Sequence, residues 1–192
     1  MDTINFLVAG VGGQGTLLAS DIMAEVGLQQ GLDVKKSDVH GMSQRGGAVT
    51  SHVRWGEHVA SPLCEKGKVD YFIAQELLEA LRWLEYLKPG GTVVVSRQVL
   101  PPTSTVFGTD QYPPEDQIIA KLRAVAGKLV VIDAPLVAER LGNRRAANSV
   151  LLGALSKELP QVPQEAWLAV VEDRVPERHR AVNRAAFLAG AA

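Results

Sequence analysis

The stretch Val8-Ala9-Gly10-Val11-Gly12-Gly13-Gln14-Gly15-Thr16 decides the fold. A run of strand formers, Ile4 to Ala9, leads into it. The segment Thr16 to Gln30 leads out, with Leu17, Leu18, Ile22, Met23, Val26 and Leu28 spaced as on one buried face of a helix. Gly31 stands where helices commonly stop. Strand, glycine turn and helix form the first half of a βαβ unit. Gly10 to Gly15 fit G-x-G-x-x-G: Gly10 permits the tight turn, Gly12 lets a ligand approach the backbone, and Gly15 lets helix and strand pack closely. Free N–H groups and the positive helix end would favour an anion there. The alternative is a turn that joins strand to helix with nothing bound.

Working outward, Asp33 to Ser37 reads as a second strand, more polar than a central parallel strand should be. Ala48 to Trp55 alternates Val49, Ser51, Val53 and Trp55 against Thr50, His52 and Arg54, which predicts a half-exposed strand. Gly56-Glu57 would turn it into a hairpin with His58 to Ser61. Val69 to Ala74 reads as a strand, Glu76 to Leu87 as a helix, and Thr92 to Ser96 as a buried strand. Residues 97–114 are irregular, with one short strand expected at Ser104 to Phe107. Helix Glu115 to Ala126 and strand Lys128 to Asp133 follow. Beyond that only helices are expected: Leu136 to Leu141 after a first-turn Pro135, Ala146 to Leu159, Glu165 to Val171, and Pro176 to Leu188. The expected fold is α/β: a Rossmann-like three-layer sandwich, mostly parallel, with an inserted hairpin and a helical C-terminal portion. Residues 1–192 form one domain, with the α/β core over about 1–133 and the helical portion over about 134–192.

Composition removes several classes of function. Lys plus Arg number 20 and Asp plus Glu 21, a net charge of −1 that argues against a protein gripping nucleic acid through phosphates or a membrane through a basic surface. Cys64 is the one cysteine, so this chain holds neither an internal disulfide nor a four-thiolate cluster. No apolar run approaches the roughly 20 residues of a membrane span. Met1 to Asn5 lack the basic region of a secretory signal. A cytoplasmic location is expected.

A second donor-rich segment is His40-Gly41-Met42-Ser43-Gln44-Arg45-Gly46-Gly47. It can wrap a phosphate or carboxylate, with Arg45 supplying a bidentate fork; a solvated loop is the alternative. It should lie beside the glycine turn at the carboxyl end of the sheet, where open α/β sheets bind ligands. His40, His52, His58 and His179 are scattered without metal-ligand spacing, and only His40 stands beside the glycine-rich loops. Cys64 reads as a buried, inert thiol. A nicotinamide site would want an acidic residue at the end of the second strand. Asp33 begins that strand and Asp38 lies just past it, while Lys35 and Lys36 could face a 2′-phosphate.

Residues 8–16, then Val39 to Val49 with Val53-Arg54, resemble the 2-oxoacid:ferredoxin oxidoreductases, in particular the gamma-type domain of the indolepyruvate branch. The similarity continues through Asp70 to Ala74, Leu87 to Gly91, Asn148 to Leu155 and Asn183 to Gly190. The resemblance implies oxidative decarboxylation of an aryl 2-oxoacid on thiamine diphosphate, with electrons passing through iron–sulfur clusters to ferredoxin and the acyl group to coenzyme A. It places thiamine diphosphate and the clusters on a large partner subunit, with none held by this chain alone. Gly12, Gly13, Gln14 and Gly15, with Ser43, Gln44 and Gly46, would then line the cleft across the subunit boundary. Arg45 is the candidate to neutralise a carboxylate or a coenzyme A phosphate, and His40 is the second catalytic candidate. The rival readings are a self-contained NAD(P)-binding oxidoreductase or regulator, and a purely structural subunit.

Overall fold

The computed structural model describes residues 3–40, 47–102 and 111–192. Six strands form one sheet: β1 (Ile4–Val11), β2 (Asp33–His40), β3 (Ala48–Gly56), β4 (Val69–Ala74), β5 (Leu87–Ser96) and β6 (Lys128–Ile132), in the order β2-β3-β1-β4-β5-β6. The helices among the described residues are α1 (Thr16–Gln29), α2 (Leu77–Arg82), α3 (Glu115–Val125), α4 (Ala134–Arg140), α5 (Ala147–Lys157), α6 (Gln164–Arg174) and α7 (Glu177–Ala191).

Phe6, Leu7, Val8 and Ala9 are all fully buried because β1 is central and covered on both faces. Phe6 and Val8 join the side chains of α1 and α4 to α7 on one face. Leu7 and Ala9 join those of α2 and α3 on the other. The fold is therefore α/β in three layers. β1, β4, β5 and β6 run parallel, whereas β3 lies antiparallel between β1 and β2.

That placement corrects three sequence expectations. The hairpin is β2 with β3, in register from Asp33 opposite Gly56 to His40 opposite Val49; His58 to Ser61 form no strand. β3 is not half-exposed: Thr50, Ser51 and His52 are buried with its apolar residues. An internal strand must satisfy such groups from within. Ser51 Oγ donates to Asp38 at 2.6 Å, and His52 Nδ1 accepts from the Cys64 amide at 3.2 Å. The buried face of α1 is Ala19, Ile22, Met23, Val26 and Gly27, while Leu17, Leu18 and Leu28 are exposed.

β2 is polar because it is an edge strand, where charge discourages further pairing. The expected strand at Ser104 to Phe107 lies outside the described residues. Asp33 to Ser37 extends to His40, and the helix expected over Glu76 to Leu87 stops at Arg82, followed by a 3₁₀ turn and an earlier start to β5. No helix among the described residues is long and apolar enough to cross a membrane.

Candidate functional site

The chain leaves β1 through α1 onto one face of the sheet and leaves β4 through α2 onto the other. Loops therefore diverge at the carboxyl ends of β1 and β4, and open α/β sheets bind ligands at such a switch point. A cleft of about 630 Å³ occupies this position. Gly12 to Gly15 form one wall; Gln75, Ser96, Gln98 and Leu100 come from the exits of β4 and β5; Arg144, Arg145, Ala147 and Asn148 come from the start of α5.

The glycine turn is a tied structure. Gln14 Oε1 accepts from the Val11 amide at 2.6 Å, and Gln14 Nε2 donates to the Gln75 carbonyl and to Gln98 Oε1, each at 2.9 Å. Thr16 Oγ1 donates to Gln75 Oε1 at 2.7 Å, and Gln75 Nε2 donates to Asn148 Oδ1. Asn148 Nδ2 donates to the carbonyls of Gln14 and Gly15, at 2.8 and 3.0 Å. Gly15 has φ +81°, and a Cβ there would collide with the Asn148 amide. Glycine is thus required both by its dihedral and by close approach of α5. The Gly12 amide, one of the N–H groups of the turn expected to be free, donates to the Gly47 carbonyl at 2.8 Å. Gly13, at φ +104°, has open space where a Cβ would stand.

Two helix N-termini converge on the cleft. Neither α1 nor α5 has a side-chain cap or an acidic residue in its first turn. The α1 terminus keeps its partial positive charge and favours an anion, whereas α5 continues the 3₁₀ turn Arg144–Ala146, whose Arg145 amide donates to Asn143 Oδ1 at 3.0 Å. Arg144 lies 3.8 Å from Glu139, and Arg145 has no ion-pair partner among the described residues. No carboxylate among the described residues lines the cleft. Glu76 is buried just beside it. Its Oε2 accepts from the Glu79 amide at 2.8 Å, capping α2, and its Oε1 accepts from the Leu100 amide at 3.1 Å and from the Tyr112 hydroxyl. Burial, then this carboxylate, pushes the Tyr112 pKa up.

Of the residues singled out from sequence, Gly12, Gly13, Gln14 and Gly15 line the cleft. His40 ends β2, two strands from the turn at the same edge of the sheet, and Gly47 precedes β3 next to the turn. Ser43, Gln44, Arg45 and Gly46 lie outside the described residues. Gln75, Ser96, Gln98, Arg144, Arg145 and Asn148 were not anticipated as site residues. Their signal was positional: polar residues at or just beyond the ends of apolar strands, and an arginine pair just before a helix.

The nicotinamide reading loses its supports. β3 separates β2 from β1, which puts the end of β2 two strand spacings, about 10 Å, from the glycine turn. Lys35 pairs with Asp33 at 2.6 Å, and Lys36 bridges Asp21 and Asp38 at 2.7 Å each. Burial works against the Lys36 charge, but the two carboxylates outweigh it and raise its pKa. Cys64 is buried, its Sγ 3.5 Å from the Phe6 carbonyl, and burial pushes its pKa up to about 12.

The fold and cleft define an α/β protein with an open cleft at the switch point of its sheet. Residues 5–192 match the family model described as pyruvate ferredoxin/flavodoxin oxidoreductase, and the chain belongs to that family. The chain is 37% identical over 193 residues to indolepyruvate oxidoreductase subunit IorB of Thermococcus kodakarensis, spanning 99% of this chain and 95% of that one. The subunit of the same name in Archaeoglobus fulgidus is 42% identical over 152 residues, 79% of this chain and 75% of that one. Among solved structures, the keto/oxoacid ferredoxin oxidoreductase gamma subunit of Geobacter sulfurreducens matches with a TM-score of 0.71 at 27% identity, covering 98% of this chain and 96% of that one. The family expected from residues 8–16 and 39–49 is the family found.

Proposed function

We propose that this chain is the small subunit of an aryl 2-oxoacid:ferredoxin oxidoreductase and that its cleft holds the phosphate-bearing part of coenzyme A. The supporting observation is the cleft itself: the uncapped N-terminus of α1 and an arginine pair around a space that no carboxylate among the described residues lines. When assembled, thiamine diphosphate supplies the decarboxylation chemistry, iron–sulfur clusters carry the electrons to ferredoxin, and coenzyme A accepts the acyl group.

The residues of this chain fit those groups unequally. One cysteine, buried and held in its thiol form, does not fit a cluster. Metal-bridged diphosphates want oxygen ligands, commonly carboxylates, and no carboxylate among the described residues lines the cleft. Coenzyme A phosphates need cations and N–H donors, which it does offer. Thiamine diphosphate and the clusters are therefore assigned to a larger partner subunit. Here Arg145 would neutralise a phosphate, Arg144 would assist, and the Gly13 backbone would let the ligand lie close. Asn148 and Gln14 would hold that surface rigid. Arg45 and His40 keep their proposed roles toward the substrate or coenzyme A from the β2–β3 connection. A single domain over residues 1–192 is part of the same proposal.

The test is co-expression with the large subunit of the same host and an assay of aryl 2-oxoacid-dependent ferredoxin reduction. Activity should need both chains, and Arg145→Ala should raise KM for coenzyme A roughly tenfold or more, the scale of a lost charge-assisted hydrogen bond. Full activity from the large subunit alone would overturn the assignment.

A further inference from the structure

The amide network fixes which atoms the exit of β5 offers to a ligand. A backbone N–H can only donate, so the Val11 amide dictates that Gln14 turns Oε1 toward it. The Gln75 carbonyl can only accept, so it independently places Gln14 Nε2 on the opposite side. Gln14 Nε2 also meets Gln98, which must therefore present Oε1 in return, at 2.9 Å. The remaining Nε2 of Gln98 has no partner among the described residues, and Gln98 lines the cleft. The Leu77 amide donates to the Gln98 carbonyl at 3.0 Å, so the backbone is pinned as well.

Two residues earlier, on the same strand exit, Ser96 is 1% exposed, and its Oγ is a buried hydroxyl without a hydrogen-bond partner among the described residues. An unmet buried hydroxyl costs stability. Such costs concentrate where a protein keeps a group for its ligand rather than for its fold. Ser96 also lines the cleft, alongside Pro135, Ala147 and Leu151.

We infer that Gln98 and Ser96 form a donor pair at the exit of β5 that reads an uncharged or phosphoryl acceptor oxygen of the bound ligand, separately from the arginine rim. The pair rests on the reading that the cleft takes coenzyme A, and it gives the cleft polarity as well as charge. An acceptor oxygen is welcomed at Gln98, and a donor placed there would leave the amide unmet.

The assembled enzyme tests this by calorimetric titration with coenzyme A. Gln98→Glu keeps an oxygen for Gln14 Nε2 but replaces the unpartnered donor with an acceptor. Gln98→Met removes the donor without adding charge. Both should raise Kd roughly tenfold or more. Ser96→Ala should raise Kd several-fold while leaving the melting temperature unchanged or higher, because an unmet hydroxyl is removed; a merely structural serine would not separate the two readouts. Wild-type affinity in folded Gln98→Met or in Ser96→Ala overturns the proposal, as does weakening confined to Gln98→Glu, which would reflect charge alone. Should the wild-type assembly bind no coenzyme A at all, the reading of the cleft fails, and the donor pair with it.

Discussion

Single residues in this chain are set by burial as much as by partners. Burial lowers the His52 pKa below its usual value of 6.5. Nδ1 accepts from the Cys64 amide, which needs an unprotonated nitrogen. A folded-state pKa below the unfolded one means the unfolded chain binds more protons. The stability tied to neutral His52 is present above about pH 6.5 and lost as pH falls from there through the lowered folded pKa. Chemical denaturation of wild type and His52→Gln between pH 7.5 and 5 should show the wild type losing stability more steeply. Cys64 gives a second check: with its pKa at about 12 it should resist iodoacetamide at pH 8 in the folded chain and react once the chain is unfolded. At the β2–β3 connection, Arg45→Ala should lower turnover by an order of magnitude or more while the complex still assembles. Wild-type turnover in that variant would remove Arg45 from the proposed site.

At the scale of elements, α5 and α7 pack backbone against backbone. A Cβ on Gly153 would run into the Phe187 carbonyl, and one on Gly190 into the Val150 carbonyl. Both obstacles are backbone, so neither can swing aside. Ser149 Oγ donates to Asn183 Oδ1 across the same contact at 2.7 Å. Either Gly153→Ala or Gly190→Ala should therefore force the helices apart and cost about 1–3 kcal/mol, as overpacked cores do. A thermal melt would show it. Gly153→Ala should also weaken coenzyme A binding, because α5 carries Asn148 and begins beside Arg145. An α5 that shifts without altering ligand affinity would uncouple this packing from the cleft.

Across the whole molecule, the decisive event is the entry of β3 between β1 and β2. It removes the strand-end acidic residue from reach of the glycine turn and leaves Gln14 to close that turn from within. NADH and NADPH should therefore produce no saturable change in the fluorescence of the three tryptophans, whereas coenzyme A should bind the assembled enzyme. Saturable nicotinamide binding would restore the rival reading.

Much of this was legible before any coordinates. The burial of β1, the helix after the glycine turn, the strands β4 to β6 and the helical C-terminal region follow from local periodicity and from turn residues such as Gly31 and Pro135. These are short-range properties, carried by neighbouring residues. Of the His40 to Gly47 segment, expected beside the turn, only the ends are described: His40 closes β2 and the Gly47 carbonyl accepts from the Gly12 amide. What the sequence alone did not determine is every pairing between distant segments. Polar Thr50, His52 and Arg54 suggested a half-exposed strand, because their partners Val39, Cys64 and Asn5 join them only when the sheet is complete. Gln75, Gln98 and Asn148, scattered over 74 positions, carry no common local pattern. Hydrogen-bond direction, running from the Val11 amide through Gln14 to Gln98, belongs to the assembled geometry, because an amide side chain has no fixed polarity until its neighbours impose one.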